Sequence, residues 1–408
     1  MGTKRMKVLA LALMASVFGT SYASPVGDGD DDFEALARAV QKYDEVGDFR
    51  EGLAWAERND KYGFINTRGE EVIPCKYDWV ENFSEGKAGV RLDGKCGFIN
   101  KDGELVIPCK YNWVEKFSGG ITIVSLDNQE CFLNEDGEET AINGYNLMAV
   151  FSEGMAAVTD EYASMGVINA KGELVVPCRY CEVWNFSEGF ATVTIVGKGD
   201  YVYYGVVNKQ GKEVIPCKYS HISSFSEGMA AIAKKGWGFI NTKGKEVIPC
   251  KYDWAGDFSE GMASVQLDEK WGFINKDGKL VIPCQYDWVG YFYGGMAKVE
   301  LYSGYKNNGL RDGKWGFINK DGEQVVPYQY DEAMDFSDGM AVVKLGGEYD
   351  ERNILVGAKC GYINTRGEEV TPCKYDEAES FSDGLARVRL GDKWGYVNKQ
   401  GRDTFSVK

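Results

Sequence analysis

The stretch Tyr62-Gly-Phe-Ile-Asn-Thr-Arg-Gly-Glu-Glu-Val-Ile-Pro-Cys-Lys-Tyr77-Asp-Trp79, with Phe83-Ser-Glu-Gly86 close behind it, decides how this chain is built. The same phrase returns until the last residues. Counting by the asparagine that closes the Gly-(Phe/Tyr/Val)-(Ile/Val)-Asn core, and by its degenerate third copy, gives Asn66, Asn100, Asn134, Asn169, Asn208, Asn241, Asn275, Asn319, Asn364 and Asn398. The basic step is 34 residues, and longer steps of 39, 44 and 45 place insertions at 196–203, 301–313 and 346–357. A fixed period of this size is the mark of a repeat architecture.

Each unit carries three short strand signals. Trp/Tyr-Gly-Phe-Ile-Asn is one. Asn-x-x-Gly then supplies a turn, and Glu-Val-Ile-Pro-Cys-Lys-Tyr follows as the second strand. Phe-Ser-Glu-Gly makes another turn before a third strand in which Ala88 and Val90 alternate with Lys87, Gly89 and Arg91. Comparing copies within the chain sorts positions by how tightly geometry holds them. The turn glycine is present in every copy, from Gly52 and Gly86 through Gly384, as a left-handed backbone or a close approach requires. Tyr77 and its equivalents through Tyr375 always stand six residues before a phenylalanine. Eight of nine prolines, from Pro74 to Pro372, share one register position, so that strand is interrupted or lies at an edge. The expected fold is all-β: short antiparallel hairpins or three-stranded meanders stacked as an open solenoid or superhelix. A 34-residue unit is short for a four-stranded propeller blade, and nine or more blades exceed the usual closure of about 4–8.

At Lys270-Trp271-Gly-Phe-Ile-Asn-Lys-Asp-Gly278 through Val281-Ile-Pro-Cys-Gln-Tyr286, and again at Lys314-Trp315-Gly-Phe-Ile-Asn-Lys-Asp-Gly322, the sequence closely resembles the WG-repeat family, beta repeats named for their Trp-Gly pair. The resemblance covers residues 49–408. It implies a largely bacterial, often exported repeat scaffold used for binding, and it carries over no catalytic residues. Tyr62, Cys96, Cys131, Met165, Tyr204 and Cys360 replace the tryptophan in several units, and Phe132 replaces the glycine in the third, which is the most eroded copy.

Ahead of the array (residues 48–408, about nine full units with terminal half-units) lie three other segments. Lys4, Arg5 and Lys7, an apolar run from Val8 to Phe18 and Ser21-Tyr22-Ala23 read as an export signal over 1–23, cut after Ala23; the alternative is an uncleaved anchor, for which the run is short. Residues 24–31 form an acidic linker. Phe33, Leu36, Ala37 and Val40 then follow the helical period, so 32–47 is expected to be a helix capping the exposed end of the array. The protein is expected to be periplasmic or extracellular, without a stable membrane span once the leader is gone.

The net charge of -16 argues against nucleic-acid binding, which depends on clustered Lys and Arg. An acidic exported chain more plausibly meets cations, neutral glycans or another protein. Of eleven cysteines, Cys75, Cys109, Cys178, Cys217, Cys250, Cys284 and Cys373 share one repeat position, as a small buried hydrophobe would. They are expected to be mostly free thiols, with a Cys96–Cys131 bridge between consecutive units as the alternative. Cys178-Arg-Tyr-Cys181 has redox or zinc spacing but no second pair beside it, and His221, the only histidine, is 40 residues on. Gly238 to Lys245 lacks the spacing and the Ser/Thr of a phosphate loop. No metal site, cofactor or catalytic constellation is expected.

The position two after the invariant tyrosine reads Trp79, Trp113, Leu147, Glu182, His221, Trp254, Trp288, Glu332 and Glu377. A place that accepts both Trp and Glu is not deeply buried, because desolvating an unpaired carboxylate is costly. Trp79, Trp113, Trp254 and Trp288 are therefore the candidate binding residues, for a protein or a cell-envelope glycan; the alternative is that they cover the apolar edge of the next unit. The functional expectation is a noncatalytic exported binding scaffold. A purely structural envelope or adhesive component is one alternative, and an enzyme with a cleft near the insertions is another.

Overall fold

The structure, a computed structural model, describes residues 30–406 except 128, 143, 149–151, 306–310, 351 and 353. The expected export signal and most of the acidic linker lie outside the described residues.

Among the described residues ten antiparallel sheets of three or four strands follow one another, at 45–77, 79–111, 113–141, 146–180, 182–219, 221–252, 254–286, 288–330, 332–375 and 377–398, with a small two-stranded sheet inserted in the ninth. The first nine have four strands in chain order and the tenth has three. They are the blades of a ten-bladed β-propeller. The open solenoid or superhelix expected above is thus wrong, and so is the three-stranded unit behind it. The missing strand is the two-residue piece Trp79–Val80, too short to give a periodic signal. Joined to the preceding blade by Asp78 alone, it lets 34 residues hold four strands.

Each phrase of the repeat has a mechanical reason. In Phe-Ser-Glu-Gly, Glu85 and Gly86 have φ of 52° and 75°, and Ser84 and Lys87 exchange both backbone hydrogen bonds (2.9 and 3.1 Å). Two left-handed residues at the tip of a two-residue hairpin match the twist of the flanking strands. In Asn-x-x-Gly, the Asn100 side-chain oxygen accepts from the amides of Asp102 (3.1 Å) and Glu104 (2.9 Å), which closes the turn between third and fourth strands. The glycine of the Trp-Gly pair makes room for the fourth strand: a Cβ on Gly272 would lie 2.4 Å from the Ile282 carbonyl and 2.7 Å from the Cys284 nitrogen. There the fourth strand bulges, with register shifts between Trp271 and Ile274, and proline sits in the bulge on the blade's edge strand. Blade 3 is the counter-example. Phe132 replaces the glycine, and its fourth strand, Glu139–Ala141, pairs without a bulge.

Neighbouring blades are joined by a repeated contact. A third-strand aromatic meets the next blade's phenylalanine, as in Phe98–Phe117 at 4.8 Å and Phe273–Phe292 at 4.8 Å. The turn serine donates to that phenylalanine's carbonyl (Ser84 to Phe117, 3.0 Å), and the turn glutamate accepts from the next turn's amides (Glu85 from Gly119, 2.7 Å, and Gly120, 2.8 Å). The ring closes by the same device. Phe49 packs on Tyr396 at 5.3 Å, Asp383 accepts from Gly52 at 2.8 Å, and the Tyr396 hydroxyl donates to Gly47 just as Tyr362 donates to Glu379 one blade earlier. Leu385 and Tyr396 of the last blade share a core with Val46, Phe49 and Ala54 of the first.

The N-terminal helix α1 (Asp30–Val40) joins this core through Phe33 and Leu36. Elsewhere the Asn-x-x-Gly glycine rests on the preceding blade's fourth strand, as Gly103 does on Ile73; Gly69 of the first blade rests instead on Leu36 and Ala39. The helix thus stands where the last blade lacks its full fourth strand. It ends before the expected boundary at 47, because Glu45–Val46 already forms the first strand of blade 1.

Candidate aromatic binding face

An antiparallel meander puts the first and third turns of every blade on one face of the ring. The second turns and the blade-to-blade links lie on the other. The candidate tryptophans open the first strand, so all four belong to the link face. Trp79 pairs with Arg91, Trp113 with Ser125, Trp254 with Gln266 and Trp288 with Glu300. Trp254 is 49% exposed, Trp288 39% and Trp113 37%. Trp79 is half-buried and packs against the core around Cys96, Phe98 and Tyr111.

The third-strand aromatic of the Trp-Gly pair falls on the same face, across the second strand from this position. In blades 5 to 7 the two sets merge. Trp184 touches Tyr204 (6.0 Å between centroids) and His221 (5.8 Å), Tyr204 touches His221 (4.9 Å), His221 touches Trp237 (5.1 Å), and Trp237 touches Trp254 (4.5 Å). Blade 8 adds Trp288 against Trp315 at 5.1 Å, with the Lys298 ammonium over both rings. Trp254 therefore belongs to a continuous row and Trp288 to a second cluster. Trp79 and Trp113 sit in blades 2 and 3, outside both. Trp184, Tyr204 and Trp237 were not singled out from the sequence, although the hairpin register relating the Trp-Gly position to the first strand contained the signal.

The three insertions rise from this link face. In blade 5 the insertion carries exposed Val196, Tyr201 and Val202; in blade 8 it is a long hairpin, Met296–Tyr305 with Arg311–Asn319; in blade 9 it is the small hairpin Glu348–Tyr349 with Leu355–Val356. The aspartates that follow the invariant tyrosine are occupied with folding. Asp287 takes the Lys270 ammonium (2.6 Å) and the Tyr302 amide (2.8 Å), and Asp376 takes Lys359 (2.5 Å) and the Gly391 amide (2.7 Å).

At the centre of the row, burial holds the His221 pKa below its ordinary value, while the Asp257 carboxylate pulls it the other way. Burial raises the Asp257 pKa, opposed by a hydrogen bond from the Ser223 hydroxyl (2.6 Å) and by His221. Ser223 therefore donates to the carboxylate rather than to the imidazole, which is not the relay that activates a nucleophilic serine. All eleven cysteines are free thiols, so the Cys96–Cys131 bridge does not form, and no group of three or more metal-ligating side chains occurs among the described residues. No helix among the described residues is long and apolar enough to cross a membrane.

The sequence profile of the WG containing repeat matches residues 40–62, 62–96, 97–129, 165–198, 204–236, 237–271, 271–305, 315–349 and 361–394. No curated protein matches the chain. Among solved structures, a eukaryotic initiation factor is similar at 9% identity and a TM-score of 0.44, over 76% of this chain and 92% of that one. The extracellular domain of a hybrid two component system from B. thetaiotaomicron is similar at 10% identity and a TM-score of 0.25, over 85% of this chain and 54% of that one.

Proposed function

The chain belongs to the WG containing repeat family, and from that premise we propose that it is a noncatalytic exported scaffold that holds a protein partner on the link face of blades 5 to 8. The observation that carries the proposal is the unbroken contact of Trp184, Tyr204, His221, Trp237 and Trp254, with Trp288 and Trp315 in the next blade. Aromatic side chains offer large contact area at low entropic cost and dominate protein hot spots. The rings meet one another tilted or edge-on, and exposed Val196 and Val202 stand on the same face. That mixture of aliphatic and mutually packed aromatic surface suits a protein better than a sugar chain, which stacks on open ring faces. The export half of the proposal rests on the basic, apolar and small-residue pattern of residues 1–23.

The test is affinity capture from a cell-envelope extract with the wild-type chain, Trp254→Ala, Trp288→Ala and Trp113→Ala, alongside the same four proteins on immobilised envelope glycan. A captured protein lost with Trp254→Ala or Trp288→Ala and kept with Trp113→Ala is expected. Retention by all three variants refutes the site, and selective glycan binding refutes the class of partner.

A further inference from the structure

In eight blades the Trp-Gly position of the third strand pairs with the invariant tyrosine of the fourth, as Trp271 does with Tyr286 and Cys360 with Tyr375. The last blade departs from this pattern. Thr404 exchanges hydrogen bonds with Tyr396 (2.9 and 3.0 Å), but nothing among the described residues pairs with Trp394 on the outer side of the third strand. The tyrosine comes instead from the segment before blade 1. Lys42-Tyr43-Asp44 repeats Lys76-Tyr77-Asp78, Tyr43 stands six residues before Phe49, and its hydroxyl donates to Glu71 (3.1 Å) as Tyr375 donates to Asp403 (2.9 Å). Tyr43 follows the end of α1, however, rather than ending a strand. Its amide turns back to the Val40 carbonyl (3.3 Å), so it makes no ladder bond to Trp394.

Between these two walls lies a cleft of about 750 Å³, with Val40, Tyr43 and Asp44 on one side and Lys393, Trp394 and Gly395 on the other. The lysine is unmatched as well. Its equivalents Lys61, Lys270 and Lys359 hold Asp78 (2.5 Å), Asp287 (2.6 Å) and Asp376 (2.5 Å), the aspartates that follow the tyrosine of their own blade. At this seam that aspartate is Asp44, which stands across the cleft and accepts from the Asn59 amide (2.8 Å). Lys393 has no ion-pair partner among the described residues. Of the other charged groups here, Glu45 is held by Arg387 (2.7 Å) and Asp392 is exposed at the hairpin tip. The seam thus leaves one open strand edge and one unpaired cation on the same wall.

We propose that this cleft is a peptide site, in which an extended segment of a partner protein adds to the open edge at Trp394 and sets an acidic side chain on Lys393. In strand addition the main-chain bonds give affinity and the side-chain pockets give selectivity. The volume falls within the range of about 300–1,000 Å³ typical of ligand clefts. The chemistry of the occupant follows from what fills the same place in the other blades, an extended run such as Leu280–Tyr286 with Asp287 directly after it. Because Tyr43 already supplies the tyrosine, the residue paired with Trp394 should be a small apolar one, followed by an acid. The site lies at the seam of blades 10 and 1, apart from the aromatic row of blades 5 to 8, and stands independently of it.

The probe is a fluorescein-labelled peptide copying residues 281–287 with Cys284→Ser and Tyr286→Val, titrated against the full chain and read by fluorescence polarisation. Saturable binding is expected. Methylating the amide of the peptide's second valine, which removes the donor to the Trp394 carbonyl, should weaken binding about tenfold. Replacing the peptide's aspartate with lysine should weaken it about threefold on the wild type. On Lys393→Glu the preference should reverse, with the lysine peptide binding more tightly than the aspartate one. Lys393 is exposed and unpaired, so this variant should unfold at the wild-type temperature. No saturation by about 1 mM peptide, or binding indifferent either to the methyl group or to the charge reversal, overturns the site. Self-association of the chain that the peptide displaces overturns the choice of occupant, because the edge would then belong to a second copy.

Discussion

Replacing Gly272 with alanine tests the claim that the Trp-Gly pair exists for the sake of the fourth strand. The added methyl would stand 2.4 Å from the Ile282 carbonyl and 2.7 Å from both the Cys284 nitrogen and the Pro283 carbonyl carbon. All three are backbone atoms, so no side chain can swing aside. Ordinary carbon–oxygen contacts begin near about 3.3 Å, so the fourth strand must retreat by about 1 Å. That movement strains the pairs Trp271↔Tyr286 and Phe273↔Ile282, and it lifts Ile282 from a core shared with Val289 and Phe292. Overpacking of this kind costs about 1–3 kcal/mol, and a weakened ladder bond adds about 1 kcal/mol. Alanine returns about 0.4–1 kcal/mol by restricting the unfolded chain. The expected net loss is centred near about 2 kcal/mol, within about 1–3.5 kcal/mol. Gly228→Ala is the comparison: φ there is +80° and nothing lies within 4 Å of the added carbon, so only the left-handed penalty of about 1–2 kcal/mol applies. Urea unfolding followed by tryptophan fluorescence should rank wild type above Gly228→Ala and Gly228→Ala above Gly272→Ala. Equal stability of Gly272→Ala and wild type would refute the reasoning.

Two further outcomes follow from the same contacts. Unfolded, nonreduced protein should titrate eleven thiols with a disulfide reagent. In the native state the repeat cysteines should react slowly, since burial, reinforced by nearby acidic groups, pushes Cys217 and Cys373 up to about 11, and exposed Cys181 should react first. Asp403→Ala should cost about 1–3 kcal/mol, because Asp403 is buried and accepts from the fully buried Tyr375 hydroxyl (2.9 Å), which would lose its acceptor, while the ammonium of part-exposed Lys374 (2.5 Å) would turn to water. A loss below about 1 kcal/mol in thermal or urea unfolding would show that this pair adds little to the last blade.

Much of the blade could be read from the repeat because the constraints are local. Gly86 is left-handed, Pro74 lies in an edge strand, and Asn66 closes a turn with its own side chain. Closure could not be read that way. Whether ten units meet depends on the rotation at each junction, set by contacts such as Phe98–Phe117 and Ser84–Phe117 across about one repeat, and a small change in that angle separates a ring from a superhelix. The two-residue first strand was hidden for a different reason: Trp79 and Val80 become a strand only through pairing with Arg91 and Val90. On the candidate face, the preference of the Trp79 position for exposure could be read from its tolerance of Glu. The joining of Trp254 to Trp237, His221 and Tyr204 depends on blade-to-blade placement and could not.

The central claim is that the last blade docks on the first, and zero-length cross-linking tests it most directly. In wild type Arg387 contacts Glu45 at 2.7 Å across the closing junction, whereas Lys399 contacts Asp338 at 2.5 Å across an ordinary one. Arg387→Lys places a carbodiimide-reactive amine opposite Glu45. In dilute monomer of this variant, peptide mapping should recover both the 338–399 and the 45–387 amide links. Recovery of the 338–399 link without the 45–387 link would mean an open array and would contradict the ring.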